Sequence, residues 1–136
     1  PVVTELGLVG RVIEVQANAA LVALVTDPSS SVSARLQTTR VEGSVAGQIS
    51  GALEMRFIPL GSPIQNGDLV RTSGLGGHLP PDILIGQVSS NRLGDDPYQI
   101  AQIRSLINFD ALEFVLVITN FQPVDLSAFE QASAGS

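Results

Sequence analysis

Leu53-Glu54-Met55-Arg56-Phe57-Ile58 alternates apolar and charged side chains with period two. Successive side chains of a strand point to opposite faces, so this stretch predicts a strand with one dry and one wet face. Working back towards the N-terminus, residues 8–15 and 20–25 form two further extended runs. The turn-prone Gln16-Ala17-Asn18-Ala19 joins them into a hairpin. Thr26-Asp27-Pro28-Ser29-Ser30-Ser31 is a loop, because Pro28 cannot donate to a ladder and Asp and Ser side chains capture nearby backbone groups. Residues 32–36 and 43–47 are strands set apart by Thr39-Arg40, and Ser50-Gly51 precedes the opening stretch. Towards the C-terminus, Asn66-Gly67 marks a tight turn before an extended run at 69–72. A loop from Ser73 to Asp82 follows, then strands at 85–91, 99–106 and 114–120, with one helical turn at 110–113. Nine or so short strands with few helical patterns predict an all-β protein built of small β-barrel domains or a sandwich.

Composition narrows what such a protein can do. Of 136 residues, 44% are hydrophobic and 4% aromatic, so the cores are aliphatic and small. The net charge of −6 argues against a nucleic-acid partner, which needs clustered cations to displace counterions from phosphates. All seven basic residues are arginines, Arg11, Arg35, Arg40, Arg56, Arg71, Arg92 and Arg104, and no polybasic block exists to hold an anionic membrane surface. Cysteine is absent, which removes disulfides, thiolate zinc sites and cysteine nucleophiles. No stretch approaches the roughly 18 apolar residues of a spanning helix. The opening Pro1-Val2-Val3-Thr4 reads as part of a longer protein, with any anchoring segment upstream.

Each feature that invites a catalytic reading lacks its partners. Gly74, Gly76 and Gly77 suggest a phosphate cradle, yet the chain has no Lys and no helical pattern follows the loop. These glycines are expected to take positive φ in a sharp turn. His78 is the only imidazole, so any Ser-His-Asp triad must use it, and no nucleophile motif accompanies it. One His leaves zinc without its usual ligands, and Asp95-Asp96 before Pro97 reads as a solvated turn. Saccharide clefts favour aromatic platforms, which a chain with no Trp and only Tyr98 can hardly build. The expectation is no enzyme, no cofactor and no metal.

Protein recognition remains. Leu75, His78, Leu79, Pro80, Pro81, Ile83 and Leu84 concentrate apolar side chains around rigid prolines, making this loop the candidate partner interface. The alternative is a loop folded back on its own barrel. An unpaired strand edge is a second candidate.

Several segments together resemble one family. They are Gly7-Leu8-Val9-Gly10-Arg11-Val12, Leu24-Val25-Thr26-Asp27-Pro28, Leu53 through Leu60, Asp110 through Val115 and, most specifically, Asn66-Gly67-Asp68-Leu69-Val70-Arg71-Thr72-Ser73-Gly74-Leu75-Gly76-Gly77 continuing to Pro80-Pro81 and Ile85-Gly86-Gln87-Val88. They are similar to the rod shape-determining MreC family over about residues 7–119, with Asp82 standing where that family usually has Gly or a similar residue and the closing region lacking the family's common basic residues. The resemblance implies two compact six-stranded-type barrels, the first incomplete here: a first β-rich subdomain at 1–62, a second at 63–122 with strands exchanged between them, and a flexible tail at 123–136. It implies a bitopic inner-membrane protein with an N-terminal helix and a coiled coil upstream. Such a protein scaffolds the periplasmic elongation complex that builds peptidoglycan, binding a class B penicillin-binding transpeptidase, MreD and RodA, and self-associating. The competing readings are a peptidoglycan-binding module and a degenerate serine-protease-like hydrolase. Uptake by purified sacculi distinguishes the first, and hydrolysis lost on His78→Ala the second.

Overall fold

The structure, a computed structural model, describes residues 1–76, 79–93, 97–112 and 114–119. Ten strands follow one another: β1 (Val2–Thr4), β2 (Gly7–Val15), β3 (Ala20–Leu24), β4 (Ser31–Leu36), β5 (Glu42–Gly47), β6 (Leu53–Pro59), β7 (Leu69–Thr72), β8 (Leu84–Leu93), β9 (Tyr98–Arg104) and β10 (Leu116–Val117). Among the described residues a single 3-10 turn, Phe109–Ala111, precedes β10, and the Asn108 side chain caps it by accepting from the Asp110 amide. The chain is all-β, as expected, and no helix of the described residues is long and apolar enough to cross a membrane.

Six strands close a barrel in the order β4-β5-β6-β9-β8-β7, every neighbouring pair antiparallel. The other four form a sheet in the order β10-β1-β2-β3, which is open among the described residues. The boundary anticipated at residues 62–63 therefore falls inside the barrel, which takes β4 to β6 from one side of it and β7 to β9 from the other. The smaller sheet likewise joins the two ends of the described chain, Val2 lying in register with Val117 and the Ile118 amide donating to the Pro1 carbonyl at 2.9 Å. The physical reason is non-local pairing. β6 bonds to β9 across more than the length of a hairpin, and no local pattern announces such a partner.

The alternation of small aliphatic residues fills the barrel. Ala34 and Leu36 of β4, Val45 of β5, Leu53, Met55 and Ile58 of β6, Val70 of β7, Ile85 and Val88 of β8, and Ala101 and Ile103 of β9 point inward. Burying each larger side chain contributes about 1.5–3 kcal/mol. Leu8 and Val25 from the smaller sheet join this core, while Val2, Val9 and Ile107 make a second core, with Phe109 packed against both. Close backbone approach locks the two layers: at Gly7 (φ +137°) a Cβ would lie 2.5 Å from the Leu84 carbonyl oxygen.

Outside the barrel, Glu54 is on the wet face that its sequence position predicts, yet only 4% exposed. Its carboxylate accepts from Gln48, from Arg56 Nε at 2.8 Å and from Gln102 Nε2 at 3.4 Å, with Arg92 at 3.8 Å. The cover of donors satisfies the charge that burial would otherwise penalise.

Candidate partner-binding surfaces

The loop expected to form an interface is largely part of its own barrel. Thr72 at the end of β7 is fully buried, and its hydroxyl donates to the Pro80 carbonyl at 2.7 Å while accepting from the Ile83 amide at 2.9 Å. The backbone adds a Thr72 amide to Ile83 carbonyl bond at 2.8 Å and an Asp82 amide to Thr72 carbonyl bond at 2.9 Å. This clasp draws Leu79, 9% exposed, into the barrel core, with Ile83 packed half-buried against it. Pro80 and Leu84 are also half-buried. Of the sequence-derived set, Leu75 (56% exposed) and Pro81 face solvent, and His78 lies outside the described residues. The turn chemistry is as expected at Gly74 and Gly76, both at positive φ, 78° and 83°; Gly77 is outside the described residues. Asp82 also has positive φ, 69°, which accounts for a residue position that Gly would fill without strain.

A different apolar surface stands at the far wall of the barrel, where β6 meets β9. Strict alternation would send Phe57 into the interior with Leu53 and Met55. A bulge between Met55 and Ile58 intervenes, so Ile58 takes the interior place and Phe57 turns outward at 61% exposure. Phe57 adopts φ 62°, a conformation that costs an L-residue about 1–2 kcal/mol. Its ring meets Tyr98 edge to face, centroids 5.6 Å apart. Tyr98 is held in register opposite Pro59, and the Gln99 side chain donates to the Pro59 and Ser62 carbonyls at 3.1 and 3.0 Å, fixing the chain after β6. The Leu60 amide donates to the Pro97 carbonyl at 2.9 Å, which sets a half-exposed Leu60 at the same end. Leu93, at the end of β8, is 77% exposed, but its register opposite Gln99 puts it on the face of the ladder away from Tyr98. Arg56 and Arg92, both on Glu54, flank the group. Aromatic rings bordered by arginines are what concentrated binding energy at interfaces usually looks like. The sequence signal was an aromatic beside a charged residue at a break in period: after Phe57, apolar Ile58 follows with no polar residue between.

Two further surfaces belong to the smaller sheet. Its outer strands β3 and β10 leave edges unpaired among the described residues, and Leu21, Leu116 and Val117 are exposed along them. Between the β2–β3 hairpin and the barrel runs a cleft of about 410 Å³ whose walls include Leu8, Ile13, Val25, Val32 and the hydroxyl-bearing Ser29–Ser31. Its described lining carries one charged group, Arg11, and no carboxylate. Beside it Asp27 accepts from the Ser29 hydroxyl at 2.6 Å and the Ser29 amide at 2.8 Å, bonds that lower its pKa from the usual carboxylate value. No group of three potential metal ligands occurs among the described residues, and Asp95 and Asp96 lie outside them.

Fold and surface together define an all-β module, a closed six-stranded barrel carrying an accessory sheet, with Phe57 and Tyr98 exposed together at one barrel wall and Phe114 exposed beside β10 of the smaller sheet. The chain belongs to the family of rod shape-determining proteins MreC, whose barrel core it matches over residues 1–119. It is 31% identical over 117 residues to the cell shape-determining protein MreC of Cereibacter sphaeroides, covering 86% of this chain and 37% of that protein. The chain thus spans about a third of the length of the curated relatives it matches. Among solved structures it is similar to MreC from Pseudomonas aeruginosa, with a TM-score of 0.81 at 26% identity, covering 88% of this chain and 78% of that one. It is also similar to a chain of the solved complex between penicillin-binding protein PBP2 and MreC from Helicobacter pylori, with a TM-score of 0.61 at 25% identity, covering 79% of this chain and 69% of that one.

Proposed function

We propose that this chain is a non-enzymatic scaffold of the cell-wall elongation machinery on the periplasmic face of the inner membrane, and that Phe57, Leu60 and Tyr98 dock on a class B penicillin-binding transpeptidase. The observation that carries the docking site is Phe57, an exposed aromatic held at positive φ by a bulge when the regular strand would bury it. Strain of this kind persists where a surface is used. The Helicobacter pylori relative, solved with PBP2, supports a transpeptidase as the partner. Leu75 and Pro81, the exposed members of the loop, add contacts at a second surface.

Positioning is then the whole mechanism, with no bond made or broken by this chain. Self-association uses the edges of β3 and β10 that are unpaired among the described residues, where an added strand pairs its backbone with free donors and acceptors. MreD and RodA are further partners of the full protein, which an N-terminal helix anchors to the membrane; these follow from the family resemblance. Hydrogen-exchange footprinting with the periplasmic domain of the cognate transpeptidase tests the site. Protection over β6 and the start of β9 is expected; protection confined to the 73–84 loop or to β3 would move the interface there.

A further inference from the structure

Three of the seven arginines of this acidic chain converge on the barrel wall opposite the Phe57 surface. Arg35 of β4 and Arg71 of β7 lie directly across from one another in the ladder, an arrangement in which like charges repel. Arg40, in the turn between β4 and β5, joins them with Gln37 and Asp82 around an open depression of about 330 Å³. The fixed partners leave donors over. Arg35 pairs with the Asp82 carboxylate, and Arg71 donates from Nε to Gln37 Oε1 at 2.6 Å and from Nη1 to the Asp82 carbonyl at 3.0 Å. The Arg40 guanidinium has no ion pair or hydrogen bond among the described residues, and Glu42, in register with Arg35, makes no ion pair among them either. Arg40 also has φ 61°, where Gly or Asn would sit with less strain. A long cation is thus maintained in a strained turn, beside two more that repel each other, in a chain of net charge −6.

We infer that Arg35, Arg40 and Arg71 form a carboxylate socket that takes an acidic side chain from an extended peptide segment of a partner protein. Planar guanidinium forks match carboxylates in two-bond geometry, and Asp82 already pairs with one of the arginines from within the chain, through a single Nη2–Oδ1 contact to Arg35. The depression is open to solvent and lined by Arg35, Gln37, Arg40, Arg71 and Asp82, so a side chain reaching from a neighbouring backbone fills it better than a bulky ring system. The socket and the Phe57 surface lie on opposite walls, because β4 and β7 are the strands farthest from β6 and β9 in the closed order. The inference deepens the scaffold reading and stands or falls separately from the transpeptidase site.

The test is anisotropy of a fluorescein-labelled hexaglutamate peptide titrated with the whole chain. Variant Arg40→Asn keeps a residue that accepts positive φ, so the fold is retained, and a far-UV spectrum checks this. Variant Arg11→Gln removes the same charge from β2, away from the socket. Saturable binding weakened at least about tenfold by Arg40→Asn and little changed by Arg11→Gln is the expected result. Absence of binding, or equal weakening by both variants, overturns the socket. Inorganic phosphate or anionic-lipid vesicles that bind in an Arg40-dependent manner while the peptide does not would overturn the acidic-peptide assignment.

Discussion

Thr72→Val tests the clasp that folds the 73–83 loop onto the barrel. Valine has almost the shape of threonine, so packing in this fully buried position is preserved and only the hydroxyl is lost. Two backbone groups then lose their partner, the Pro80 carbonyl and the Ile83 amide, at 2.7 and 2.9 Å in the intact protein. A buried group left unsatisfied costs about 1–3 kcal/mol. Both bonds are only partly buried, so water recovers some of that, and a total loss of about 2–3 kcal/mol is expected. Urea unfolding reads this as a midpoint lowered by roughly 1–2 M, given a slope of about 1–3 kcal/mol per M. Thr72→Ser keeps both bonds and is expected to lose less. Equal midpoints for Thr72→Val and the parent protein would refute the reasoning.

Two predictions follow from the same neighbourhood and from the cleft. Leu79→Glu, which would report on an interface if the side chain were exposed, instead places a carboxylate in the barrel core; about 3 kcal/mol or more of stability should be lost, measurable by thermal unfolding in the absence of any partner. Asp27→Asn should lower stability at neutral pH, because the folded-state pKa is depressed by the Ser29 bonds: that contribution is present above the ordinary carboxylate pKa and lost as pH falls through the folded value. The gap in denaturation midpoint between parent and variant should therefore close in acid, and a gap that widens there would contradict the assignment.

Much of the barrel was legible because its strands are short, aliphatic and bounded by turn residues. β2, β4, β5 and β7 fall within a residue or so of the periods that announced them. β1 was not anticipated: Val2–Thr4 is three residues long and gains its partners from β2 and from β10, more than a hundred residues away. β10 is shorter than the run at 114–120, and Asn120 and the tail beyond it lie outside the described residues. The division of strands between sheets was illegible for the same reason, since β6–β9 and β4–β7 pairings carry no local signature.

At the candidate site, composition pointed to the loop because apolar residues and prolines gather there. The deciding group was Thr72, whose hydroxyl turns the loop inward, and nothing in a sequence distinguishes a clasping threonine from an ordinary strand residue. Phe57 was overlooked for the opposite reason. Its stretch alternates well enough to suggest an inward aromatic, and the bulge that reverses it is visible only as Phe57-Ile58, two apolar residues in succession.

Calorimetric titration of this chain and its Phe57→Asn variant with the periplasmic domain of the cognate class B transpeptidase tests the central claim most directly. Asn accepts the positive φ at this position, so the variant should fold at least as well as the parent, and removal of a central aromatic anchor should weaken binding by about 2 kcal/mol, near thirtyfold. Saturable binding by the parent with that loss is the predicted result. Absence of binding by the parent, or identical affinities for the two, would contradict the account.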